Sequence, residues 1–235
     1  VLSSPLSALP LWRADRLADA APRDTATPTG WPALDTELPG GGWPAAGLTE
    51  LLLATPGSGE LRLLAPMLAA ARATTLWIAP PLLPYAPALA ALGVPAERLV
   101  VAQPERDADA AWAAEQALRS GALAAVLWWQ GAAPVAAPVL RRLHLASVEG
   151  RTPLFALCQM SARTQSSPAL LRLALEWQAP GRLAVDVFKR RGPPLAHPLP
   201  LDLPAPLLRP RARRVTAPAK DPHAVVRPAP ERVAA

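Results

Sequence analysis

Residues 53–64 read LATPGSGELRLL. An apolar run, GLTELLLA (Gly47–Ala54), enters a Gly/Ser turn, and GELRLLAPMLAAARA follows with helical spacing of its leucines. Strand, glycine turn and helix together have the form of a phosphate-binding loop. Such a loop places Lys and then Ser/Thr after its last glycine, whereas this chain places Glu60 and Leu61 after Gly59. Gly57, Ser58 and Gly59 keep the turn, but Glu60 brings a negative charge to the place of the cation and Leu61 removes the hydroxyl that would hold Mg²⁺. The stretch therefore reads as a helix start. Ser58 or Gly59 caps it, Glu60 suits its positive end, and Leu61, Leu64 and Leu68 pack inward.

The flanking sequence alternates. TTLWIAP, ERLVVAQP, LAAVLWWQG and TPLFALCQM are apolar runs too short for helices. Helical segments lie between them, including YAPALAALG, DADAAWAAEQALRSG and PVAAPVLRRLHLASVEG. This order predicts an α/β fold with a mostly parallel sheet covered on both faces. PALLRLALEWQ and GRLAVDVFKRRG predict a C-terminal β-hairpin. After Gly192 proline dominates and periodicity fades. Pro66 marks a kink in the helix after the loop.

The division expected is an N-terminal leader with a short helix anchored by Trp12 (residues 1–28), a core (29–203), and a disordered Pro/Arg-rich tail (204–235). Of the 235 residues, 51% are hydrophobic, enough for a sizeable core. The net charge of +6 is concentrated in the tail, where Arg209 to Ala235 holds seven basic residues and two acids. Such a tail suits nucleic acid, an acidic partner or solubility. Cys158 is the sole cysteine, which excludes an internal disulfide and a multi-cysteine metal site. Neither a signal peptide nor a membrane span is expected, and the expected location is cytoplasmic.

The segment TGWPALDTELPGGGWPAAGLTELL, with its Leu34–Asp35 pair and glycines before the loop strand, resembles the lead-in of the RecA recombinase core. LGVPAERLVVAQP, ALRSGALAAVLWW, LFALCQMSAR and RLAVDVFKRRGPP resemble its later segments, so the likeness runs from about Thr29 to Leu203. Within RecA-like proteins, the Gly-Glu-Leu after the loop and VFKRRGPP resemble the ImuA family, also called SulA-like. ImuA proteins are accessory factors of bacterial translesion mutagenesis.

The resemblance implies a RecA-like core and locates its chemistry. The catalytic glutamate would fall at Pro81 and the Mg²⁺-holding aspartate at Trp129, and neither segment holds a carboxylate. The expectation is a pseudo-ATPase with no catalytic residue, metal or cofactor. Gln159 matches the glutamine that couples nucleotide state to the DNA loops of RecA, and Ser161–Pro168 matches a DNA-binding loop with Arg163 as its one charge. Lys189, Arg190 and Arg191 match a cationic segment. With Arg163 and the tail residues Arg209, Arg211, Arg213 and Arg214, they are candidate contacts for DNA or a partner.

The implied partners are an ImuB-type Y-family polymerase homologue, an error-prone replicative-type DNA polymerase and RecA. Two other readings stay open, a DNA-binding recombination modulator with residual nucleotide binding and a SulA-like cell-division inhibitor. Trp77, Trp128 and Trp129 are expected in the core, Trp31 and Trp43 as half-exposed anchors, and His144 on a basic face with Arg141 and Arg142.

Overall fold

The computed structural model describes residues 26–57 and 59–203. A two-residue ladder pairs β1 (Ala26–Thr27) with β2 (Trp43–Pro44), and helix α1 (Pro32–Glu37) lies between them. An eight-stranded sheet follows. Its strands are β3 (Gly47–Leu53), β4 (Thr75–Ile78), β5 (Leu99–Ala102), β6 (Ala125–Trp129), β7 (Pro153–Gln159), β8 (Leu171–Ala179), β9 (Arg182–Lys189) and β10 (Leu199–Asp202). Helices α2 (Glu60–Ala70), α3 (Ala86–Ala91), α4 (Asp107–Ser120) and α5 (Ala137–Glu149) connect its parallel strands.

The spatial order is β10-β9-β8-β3-β7-β6-β4-β5. All contacts from β8 to β5 are parallel, and β9 runs antiparallel to both of its neighbours, β8 and β10. This is the expected α/β class, with the expected hairpin at its C-terminal side. The loop strand β3 lies at the centre, between β7 and β8, and is buried along its whole length. Crossovers on both faces bury both sides of each central strand, which is why these strands read as continuous apolar runs.

Alternation distributes the side chains between two cores. Leu51, Leu53, Leu127, Trp129, Phe155 and Leu173 face the α2 side with Leu63, Leu64 and Leu68. Leu48, Leu52, Val126, Trp128, Ala156 and Ala174 face the α4/α5 side with Leu118, Leu140 and Leu143. Trp77, Trp128 and Trp129 are buried as expected.

Three sequence expectations are corrected. Trp43 is 1% exposed rather than a surface anchor, because its ring meets Phe155 edge-on at 5.5 Å beneath β3. The region after Gly192 contains a further strand, β10, registered on β9 with Leu199 opposite Val185. Pro200 hid it, and its outer position explains how a strand can hold a proline that donates no hydrogen bond. His144 does not join a basic face. It is half-buried against the start of β3, where its Nδ1 accepts the Leu48 N–H at 3.2 Å.

The lead-in is fastened by its own side chains. Asp35 accepts the Thr29 N–H at 2.8 Å, and Leu34 is fully buried. Helix α2 continues through Pro66, and Leu63 O accepts the Trp31 indole N–H at 2.9 Å. Gly30, at φ +85°, lets the lead-in cross Pro66, since a Cβ there would lie 2.2 Å from the proline Cβ. The leader helix and the tail lie outside the described residues.

Candidate functional site

The loop Thr55–Gly59 joins β3 to α2 at the C-terminal edge of the parallel sheet, where open α/β folds bind ligands. Gly57 and Gly59 both adopt positive φ, +83° and +92°. Gly59 is the helix N-cap, so no side chain caps α2 there. Its missing Cβ also admits a neighbour, since one built there would lie 2.8 Å from Trp177 Cζ2. Ser58, the other candidate cap, lies outside the described residues.

Glu60 turns back into the loop. Its Oε1 accepts the Gly57 N–H at 2.8 Å, and the residue is only 3% exposed. In a phosphate cradle such backbone N–H groups face the anion. Here the chain supplies the anion itself, one residue into the helix. Oε2 is buried without a partner among the described residues.

The nearby cation does not compensate. Arg62 lies over the Trp177 ring, 5.0 Å from its centroid, and donates to the Leu203 carbonyl. Burial lowers the Arg62 pKa. Leu61 is half-buried, and Leu64 and Leu68 are buried as expected.

The positions matched to catalytic carboxylates hold no acid. Pro81 is exposed in the connection after β4, just beyond Ala79, whose φ of +51° is a strained value for a residue with a Cβ. Trp129 is buried at the end of β6, its ring centroid 5.6 Å from that of Trp77. Among the described residues no cluster of three or more His, Cys, Asp or Glu could hold a metal ion.

The cationic candidates are largely engaged within the protein. Arg163 pairs with Asp186 at 2.6 Å and stacks over Phe188 at 4.5 Å. Lys189 donates to Ser167 O at 2.6 Å, and burial, followed by the charge of Arg172, lowers its pKa. Arg190 turns towards α1, donating to Glu37 O and to its carboxylate at 3.3 Å, and also to Pro193 O at 2.6 Å. Arg191 is exposed, so the three adjacent cations do not share one surface. Arg209, Arg211, Arg213 and Arg214 lie outside the described residues. Gln159 is exposed at the end of β7, beside Leu53 in the parallel register.

Sequence reasoning missed the pair that organises this side of the sheet. Glu50 and Arg172 are direct register partners on β3 and β8, 2.5 Å apart between Oε2 and Nε. Their side chains are 3% and 6% exposed. Ser167 donates to Glu50 Oε1 at 2.6 Å, and Arg172 also donates to Gln165 O at 3.0 Å and Ala162 O at 2.7 Å. The segment matched to a DNA-binding loop is thereby tied to the sheet. The signal was present in GLTELLL and LRLAL, where Glu50 and Arg172 each interrupt an apolar run and so demand a partner. Cys158 is buried nearby, and desolvation, then the charge of Glu50, pushes its thiol pKa well up.

No helix among the described residues is long and apolar enough to cross a membrane. No family model matches the chain, and no curated protein matches it. Among solved structures it is similar to the crystal structure of SulA from Pseudomonas aeruginosa, at 28% sequence identity over 47% of this chain and 97% of that chain, with a TM-score of 0.39.

Proposed function

We propose that this chain is a non-catalytic RecA-like adaptor of damage-induced translesion synthesis. The observation that carries the non-catalytic part is the Glu60 carboxylate bonded to Gly57 N–H at 2.8 Å inside the loop. An entering phosphate would have to displace that bond and meet a fixed negative charge. Two unit charges 4 Å apart repel by about 4 kcal/mol at an effective dielectric near 20. Pro81 and Trp129, at the places of the base and the metal ligand, support the same reading.

The adaptor part rests on the resemblance to ImuA and on the retained core. A fold that keeps its packing without its catalytic groups acts through the surfaces it presents. Its partners would be an ImuB-type Y-family polymerase homologue, an error-prone replicative-type polymerase and RecA, with the basic tail as a docking segment.

Calorimetry with ATP and Mg²⁺ tests the first part. No saturable heat is expected, and binding abolished by replacing Gly57 or Gly59 would overturn it. Co-purification with the Y-family polymerase homologue tests the second. Capture by the full chain that falls on removal of residues 205–235 is expected. Absence of capture refutes the adaptor reading, and undiminished capture refutes the role of the tail.

A further inference from the structure

At the edge of the sheet opposite the Glu60 loop, a cavity of about 370 Å³ opens where β2 leads into β3 and the chain enters β6 and β7. The sequence explains why it is there. Helix α2 ends in Ala70 and Ala71, and Ala45 and Ala124 belong to the same wall. Side chains this short do not close the space beside Trp43, Met67 and Phe155. The volume is that of a small-molecule site, and the walls are mostly apolar, as such sites are.

Two side-chain donors at this end have no acceptor among the described residues. Trp43 lines the cavity at 1% exposure, and its Nε1–H is buried and unpaired. Arg151 also lines it, is exposed, and forms no ion pair among the described residues. Its φ of +51° is one that a residue with a Cβ holds only where its surroundings fix it. Two more guanidinium groups belong to this end. Arg98 donates to the carbonyl of the wall residue Ala71 at 2.7 Å, which offsets the negative end of α2, and the exposed Arg72 follows Ala71 in the chain. No acid lines the cavity among the described residues. Glu97 and Glu149 lie next to Arg98 and two positions before Arg151, but both are exposed and outside the wall. Three arginines against two acids leave this end positive.

We propose that this cavity binds a small amphipathic monocarboxylate, an apolar chain carrying a single carboxylate head. The chain would lie against Met67 and Phe155. The head would pair with the Arg151 guanidinium, whose planar fork matches a carboxylate, and would give the Trp43 Nε1–H its acceptor. An alcohol of the same length loses the charge pairing, and an amine meets like charge. The site shares no residue with the Glu60 loop, so it stands or falls apart from the adaptor reading.

The test is calorimetry on the full chain with sodium octanoate, octanol and octylamine as probes. Octanoate should bind saturably, octanol roughly tenfold more weakly or worse, and octylamine not at all. Arg151→Gln should weaken octanoate about tenfold and leave octanol unchanged. Ala70→Trp fills the mouth and should abolish binding of both. Ala70 and Arg151 are exposed, so both variants should melt as the parent does. Proton NMR adds a local readout: the Trp43 indole N–H signal, identified by its loss in Trp43→Phe, should shift when octanoate is added. Absence of saturable octanoate binding overturns the proposal. Equal affinities for octanoate and octanol overturn it too, by making the cavity merely apolar. So does octanoate binding that survives Ala70→Trp, which would place the site elsewhere.

Discussion

Replacing Arg172 by Met should be among the most damaging single changes in this protein. Arg172 holds three acceptors, namely Glu50 at 2.5 Å and the carbonyls of Ala162 and Gln165. Its loss leaves the Glu50 carboxylate 3% exposed with one remaining donor, Ser167. Removing one partner of a buried pair costs about 3–5 kcal/mol, because an uncompensated charge stays inside. For a chain of this size that is a fall in Tm of roughly 6–20 °C. Urea unfolding followed by tryptophan fluorescence should show a lower midpoint with an unchanged slope. The double variant Glu50→Leu/Arg172→Met removes both charges, and it should regain about 2 kcal/mol or more over Arg172→Met. The two free carbonyls keep that recovery incomplete. If the two single changes instead add to within about 0.5 kcal/mol of the double, the pair is not coupled and the reasoning fails.

Other outcomes can be checked separately. Burial, then the charge of Lys189, lowers the His144 pKa, so the folded state favours the neutral ring that accepts Leu48 N–H. That contribution is complete above the unfolded value of about 6.5 and is lost as pH falls through the folded one; His144→Asn should flatten this part of the stability–pH curve. Glu60→Lys with Leu61→Thr removes a repulsion of about 4 kcal/mol and should strengthen triphosphate binding at least ~1000-fold by calorimetry, whereas unchanged weak binding would show that Glu60 is not the barrier. Gly59→Ala places a Cβ 2.8 Å from Trp177 at φ +92°, and a loss of about 1–3 kcal/mol is expected in thermal melts. Cys158 should react with thiol reagents only at the rate of opening, and a fast stoichiometric reaction in the native state would contradict its burial.

Much of the fold was legible because each central strand is short, apolar and bounded by a turn. Helix α4 announced itself through Asp107, Asp109, Arg119 and Gly121, residues matched to its dipole and its ends. Strand β10 was not legible, since four residues holding Pro200 have no periodicity to detect. The loss of the phosphate-site lysine could be read from Glu60 alone. That its carboxylate turns back onto Gly57 could not, because helix spacing predicts an outward face and says nothing of a side chain reaching N-terminally. The cations misled for a related reason. Lys189, Arg190 and Arg191 look like one patch in sequence, but strand alternation and the turn after β9 send them in different directions.

The two outer strands of the sheet differ in a way that bears on self-association. On one side β10 carries Pro200 and Asp202, both poor partners for an added strand. On the other, β5 is parallel to its neighbour, only partly covered, and leaves Val100 half exposed. An open fibre grown by strand pairing needs two receptive edges, one to give and one to take. A chain with one receptive edge joins through a two-fold axis and stops at a pair. Among the described residues, the geometry that completes the sheet at β10 also limits how far copies of it could polymerise.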